Sequence, residues 1–264
     1  MKPVVLMKGS RKLPSPLVNF MIIGAQKCGT TALARYLAEH PSVCMAWGKE
    51  VHLFDSLAPV GFAPQRLDRF YHGYFEHYRG EPIVGEATPS YLYFPEAIAG
   101  LHHYNPRLKL IVLLRDPLER ALSAYAMERN RGRESWPVDP ALCLEPVRRL
   151  AASVFRGSRT AHRTTFSYVD RSRYRRQLDT LGSYFPKEQI LLLHAEALGR
   201  RYEETLRSVY AFLGISVPSP LPPPRRVRQT ERKYRPSSLT LAWLRWVLRK
   251  ERRWLRERFP NRSD

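Results

Sequence analysis

Cysteine is scarce in this 264-residue chain: Cys28, Cys44 and Cys143 stand far apart, with no CxxC spacing. That argues against a disulfide framework or a zinc ribbon and fits reduced thiols in a reducing compartment. No His/Cys/Asp cluster has metal-ligand spacing, so no metal is expected. Acidic residues are also few, 24 Asp and Glu against 44 Lys and Arg, for a formal charge of +20. No apolar run approaches the roughly 18 residues of a bilayer-spanning helix, so no membrane span is expected. Lys2, Lys8, Arg11, Lys12, Pro14 and Pro16 break up the start, which holds no signal-peptide apolar centre. The expected address is the cytoplasm. Hydrophobic residues at 44% and charged residues at 26% exclude wholesale disorder.

Positive charge is what the chain has in excess. Residues 225–264 carry 14 Lys and Arg against 4 Asp and Glu, half of the whole surplus. Such a chain attracts polyanions: nucleotides, acidic membrane, nucleic acid, or sulfated and phosphorylated sugars. No paired aromatics at regular spacing suggest RNA recognition, so no specific nucleic acid is expected.

Short apolar runs at 18–24, 42–46, 82–86, 109–114 and 189–194 read as buried strands. Between and after them the pattern predicts helices at 30–39, 95–104, 117–130, 146–155, 173–184 and 201–213. Pro117 suits a first helical position, and Asp116 before it is a natural N-cap. Strands alternating with helices predict an α/β fold, a P-loop-like parallel sheet flanked by helices in a single domain. The expected domain covers 18–217, after an N-terminal extension at 1–17. A Pro-rich linker and basic helical segment follow at 218–264, and 131–165 is read as an excursion over the sheet. In 239–259, Trp243, Val247 and Trp254 recur near helical spacing among seven cations. This reads as a helix packing its tryptophans on the sheet. The alternative is an interfacial helix near anionic membrane or a polyanionic acceptor.

Gly24-Ala-Gln-Lys27-Cys28-Gly29-Thr30-Thr31 lies between the first strand and the first helix, where backbone amides form an anion site. Its lysine precedes the second glycine, whereas a Walker A lysine follows it. The strand at 109–114 leads into Arg115 rather than a clean Walker B aspartate. A Mg-dependent P-loop small-molecule kinase therefore fits poorly, but stays as the alternative enzyme. A polyanion- or RNA-binding module is the alternative of another class. Arg115, at a strand's carboxyl end, and Ser123, in the next helix, stand where a second phosphate would bind.

Together these segments resemble the PAPS-dependent sulfotransferases, PAPS being 3′-phosphoadenosine 5′-phosphosulfate. Gln26 to Thr31 is similar to the family's 5′-phosphosulfate loop. Arg115-Asp116-Pro117 with Arg120, Ser123 and Tyr125 resembles its 3′-phosphate motif. Lys49-Glu50-Val51-His52-Leu53-Phe54-Asp55 and Glu86-Ala87-Thr88-Pro89-Ser90-Tyr91 resemble segments of the heparan-sulfate-type branch. Ala87 stands where that branch usually carries lysine, and Ser172 where a later R-G-x-Y segment has glycine.

The resemblance implies PAPS as co-substrate, adenosine 3′,5′-bisphosphate as product, and no metal. It implies a hydroxyl- or amine-bearing acceptor, carbohydrate-like by the match to the glycan-modifying branch. Glu50 is the expected general base, His52 its assistant, and Lys27 the cation at the leaving phosphate. An extended segment would put Glu50 and His52 on one face. Asp55 is expected to line the acceptor site. Lys27, Cys28, Gly29, Thr30, Thr31, Arg115 and Ser123 are the expected nucleotide residues, joined by Lys233 and Arg235 folding back from the basic segment.

Overall fold

The computed structural model describes residues 17–48, 50–56, 62–154, 165–224 and 234–260. In chain order they form β1 (Phe20–Gly24), α1 (Thr30–Ala38), β2 (Val43–Met45), α2 (Leu53–Ser56), α3 (Pro64–His72), β3 (Ile83–Ala87) and α4 (Pro95–Tyr104). Next come β4 (Lys109–Leu114), α5 (Pro117–Asn130), α6 (Val138–Cys143), α7 (Glu145–Val154), α8 (Tyr174–Tyr184) and β5 (Ile190–His194). The chain ends in α9 (Ala197–Arg200), α10 (Tyr202–Leu213), α11 (Ser238–Val247) and α12 (Arg249–Arg258). Two compact units result: residues 1–25, 29–113 and 180–225, and residues 26–28, 114–179 and 226–264.

The first unit is α/β. Its sheet has the order β2-β3-β1-β4-β5, with β1 parallel to β3 and β4, and β2 parallel to β3. The central β1 is buried along its whole length, and β4 is buried from Leu110 onward. Unbroken apolar runs suit strands covered on both faces. Phe20 pairs with Gly85 in register, and a Cβ on Gly85 would stand 2.2 Å from the Phe20 ring. A side chain there would push the two strands apart. Tyr71, Tyr91, Tyr104 and Phe54 form a buried aromatic cluster with ring centroids 5.5–6.4 Å apart.

The second unit is helical. Ala121, Ala124 and Tyr125 of α5 pack with Ala141, Leu142, Tyr168, Val169, Leu244 and Leu248. The basic segment therefore reaches this unit's core, through buried Leu244 and Leu248 with the expected Trp243 and Val247 packed against them. Trp243 is only partly buried and Trp246 is exposed, because the inward stripe of α11 holds Thr240 and Leu244. The expected single helix is broken at Leu248, whose side chain stays fully buried. The helix expected at 146–155 is α7; Phe155 lies outside the described residues.

Candidate active site

The first unit holds Glu50, His52 and Asp55 in one hydrogen-bonded chain. Glu50 Oε2 lies 3.2 Å from His52 Nε2, and Asp55 Oδ2 lies 2.9 Å from His52 Nδ1. Both ring nitrogens thus face carboxylates, which favours the imidazolium. The Asp55 hydrogen bond first, then that of Glu50, lifts the His52 pKa to about 10. Asp55 is almost fully buried and also accepts from Ser90 Oγ.

The two residues meet by a route other than the extended backbone expected of them. Glu50 has φ 64° and His52 φ 56°, so both are left-handed. A non-glycine residue held there costs about 1–3 kcal/mol and persists only where its surroundings enforce it. The enforcement comes from β3 and the turn after it. Fully buried Glu86 accepts from Tyr71 Oη at 2.7 Å, Thr88 Oγ1 at 2.5 Å, Tyr91 Oη at 3.1 Å and the Val51 amide. Tyr91 Oη in turn accepts from the Leu53 amide at 2.9 Å. The amides of Val51 and Leu53, on either side of His52, are thereby fixed to buried oxygens. Burial pushes the Glu86 carboxyl up, and its hydrogen bonds oppose that shift. Sequence reasoning matched the 86–91 segment without giving Glu86 a role. A carboxylate inside an apolar strand was the signal to follow.

The anion-binding features fall in two sets. In the first unit, Gly29 at φ 88° opens α1, whose first turn has no acidic residue and no side-chain cap. The Ala32 and Leu33 amides both turn to the Gly29 carbonyl, so the Thr30 and Thr31 amides stand at the positive helix end. In the second unit, Arg115, Arg120 and Arg171 attend residues 26–28. Arg115 Nη1 donates to the Lys27 carbonyl at 3.3 Å, and its Nη2 pairs with Glu119 at 2.5 Å. Arg171 Nη1 donates to Gln26 Oε1 at 2.9 Å. Cys28 is buried against Tyr174 Oη at 3.8 Å, and burial raises its thiol pKa while Arg120 opposes the rise. It is a packed thiol.

Arg120 has no exposed surface. Its Nε donates to Ser172 Oγ at 2.7 Å and its Nη2 to the Tyr168 carbonyl. Its Nη1 is buried without a partner among the described residues. A buried guanidinium nitrogen in that state calls for an acceptor. Asp116 caps α5 as expected, accepting from the Leu118 and Glu119 amides at 2.9 and 3.1 Å. Its other oxygen takes Arg252 Nε of α12 at 2.8 Å. Ser123 is half-buried on α5, one turn beyond Arg120. Lys233 lies outside the described residues. Arg235 is exposed, without a hydrogen bond or ion pair to this cluster among the described residues. Among the described residues of the basic segment, Arg252, hidden from sequence reasoning in a run of like charges, reaches the motif. Among the described residues, no three His, Cys, Asp or Glu gather as metal ligands, and no helix is long and apolar enough to cross a membrane.

Residues 18–234 match the model of the sulfotransferase domain. The chain belongs to the sulfotransferase family. That membership speaks against the kinase and binding-module alternatives. Heparan sulfate glucosamine 3-O-sulfotransferase 6 of Mus musculus is 33% identical over 213 residues, 81% of this chain and 56% of that protein. The membrane-associated sulfotransferase kil1 of Dictyostelium discoideum is 39% identical over 112 residues, 41% of this chain and 22% of that protein. This chain spans about half or less of the length of these curated relatives. The crystal structure of a sulfotransferase from Alicyclobacillus acidocaldarius superposes with a TM-score of 0.68 at 27% identity, covering 90% of this chain and 95% of that one.

Proposed function

We propose that this sulfotransferase moves a sulfuryl group from PAPS to a hydroxyl or amine of a carbohydrate-like acceptor, with Glu50 as general base. The observation that carries this reading is the Glu50–His52–Asp55 chain, a carboxylate set against an imidazolium by two enforced left-handed residues. As substrate, PAPS supplies a sulfuryl group on a good leaving group, so positioning and charge stabilisation dominate catalysis, as in phosphoryl transfer.

The acceptor oxygen forms its new bond to sulfur as the sulfur–phosphate oxygen bond breaks, and the acceptor proton passes to Glu50. His52 orients that carboxylate, and Asp55 fixes the ring from its far side. Lys27 stabilises charge on the leaving phosphate, while Arg115 and Ser123 grip the second phosphate. The glycan preference rests on the names of the heparan sulfate relatives and on a net charge of +20 that suits an anionic sugar chain. Ala87 offers no cation to that acceptor.

Labelled PAPS with a panel of glycans, phenols and lipids tests the reading, and Glu50→Gln tests the base. The variant is expected to lose turnover while its affinity for adenosine 3′,5′-bisphosphate stays within about threefold of wild type. Wild-type turnover in that variant removes Glu50 from the mechanism.

A further inference from the structure

Helices α11 and α12 bury one face and leave the other bare. The two helices meet at buried Leu248, whose N–H closes α11 on the Leu244 carbonyl and whose carbonyl takes the Arg252 N–H of α12, each at 2.9 Å. Leu244, Leu248 and Leu255 mark the buried stripe. At about 100° per residue, Leu239, Ala242 and Trp246 line up opposite that stripe, and Arg249, Lys250 and Arg253 continue the line. All six are exposed. Leu239 is 82% exposed and Trp246 61%, values that water alone does not reward.

The outward face also carries a surplus of cations. Glu251 turns inward, accepting from the Arg175 amide at 3.1 Å, and Arg252 turns inward to Asp116. Glu251 is thereby withdrawn from the outward face, which keeps the cations Arg249, Lys250 and Arg253 beside one exposed acid, Glu257. Arg249 holds its guanidinium 4.7 Å from the centre of the Trp246 ring and donates to the Trp246 carbonyl at 2.8 Å, so a cation sits against the exposed indole.

We propose that this face docks the enzyme on an anionic lipid bilayer, with Leu239 and Trp246 entering the headgroup boundary and Arg249, Lys250 and Arg253 meeting acidic headgroups. Charge complementarity and the apolar pair argue for this occupant together. A soluble polyanion engages the cations but leaves Leu239 in water. A bilayer accepts both kinds of side chain on one helix lying in its plane. The proposal is independent of which acceptor the enzyme sulfates.

Flotation of the full chain with phosphatidylcholine vesicles, with and without a quarter of phosphatidylglycerol, tests it at low salt. The chain is expected to float with the anionic vesicles and stay behind with the neutral ones. Each basic residue near an anionic surface contributes about 1 kcal/mol, roughly fivefold in partitioning. Combined Arg249→Glu, Lys250→Glu and Arg253→Glu substitution is therefore expected to lower binding by about a hundredfold or more. Combined Leu239→Asp and Trp246→Asp substitution is expected to abolish flotation while leaving turnover of a soluble acceptor unchanged. Brominated lipid is expected to quench wild-type fluorescence, and Trp246→Phe to remove most of that quenching.

Flotation unchanged by the aspartates, or quenching undiminished by Trp246→Phe, overturns the proposal. So does tight heparin binding that the charge reversals abolish in a protein that never floats; that result assigns the face to a soluble polyanion. A dimer in solution that Leu239→Asp and Trp246→Asp dissociate, again without flotation, assigns it to a second copy.

Discussion

At the scale of single residues, His52 is the most constrained group in the candidate site, held from both sides by carboxylates and from below by its backbone. Its folded pKa is raised, so the stability from its ion pairs is fully present below the unfolded value near 6.5 and is lost as pH climbs through about 10. The expected outcome in an NMR titration is a ring that stays protonated from pH 6 to about pH 8. A midpoint near 6.5 would show that the two carboxylates do not hold it. Glu86 is the positioning residue behind this arrangement. Replacing it with glutamine sets an amide NH2 against a donor, in a site where four donors need acceptors, and each buried donor left unmet costs about 1–3 kcal/mol. Glu86→Gln is expected to lower kcat with nucleotide affinity retained, and to move the His52 midpoint down toward 6.5 as the turn slackens. A fall in stability with kcat and the His52 titration both unchanged would limit Glu86 to scaffolding.

At the scale of elements, α7 begins on a buried acid. Burial pushes the Glu145 carboxyl up to about 7, against hydrogen bonds from the Val169 amide at 2.6 Å and the Asp170 amide at 2.9 Å. Between about pH 4.5 and pH 7 the folded state holds this proton more tightly than the unfolded state, so stability from this group falls as pH rises. The stability advantage of wild type over Glu145→Gln is expected to be larger near pH 5 than near pH 8, measured by urea midpoints. An advantage that grows with pH would contradict the raised pKa. The strands were legible because a buried parallel strand writes itself as an unbroken apolar run, as Leu110 to Leu114 does. The start of α5 was legible because Asp116 and Pro117 are local signals. The left-handed backbone of Glu50 and His52 was not, because distant oxygens on Glu86 and Tyr91 impose it against the residues' own preference. Helix α3 carried a first-turn proline in Pro64, a signal that went unused.

At the scale of the whole molecule, the question is whether residues 238–258 are an appendage or part of the fold. Tryptophan spacing suggested a packed helix and the run of arginines an interfacial one, and the deepest stripe is that of Leu244, Leu248 and Leu255, all without exposed surface. Leu244 and Leu248 share a core with Tyr125 and Tyr168, while Arg252 holds the carboxylate that caps α5. Truncation after Pro236 therefore strips the second unit of core and leaves Asp116 without its cation, and it is expected to cost solubility and nucleotide binding together. A pair of point variants separates the two faces more cleanly. Leu244→Ala opens a cavity among packed side chains, for a loss of about 2–5 kcal/mol. Trp246→Ala, two residues on, removes a larger side chain from an exposed surface and is expected to change stability by about 0.5 kcal/mol or less. Urea unfolding of both variants reads the difference directly. Equal losses would mean that the helix is turned the other way, with its tryptophan on the core and its leucines toward solvent.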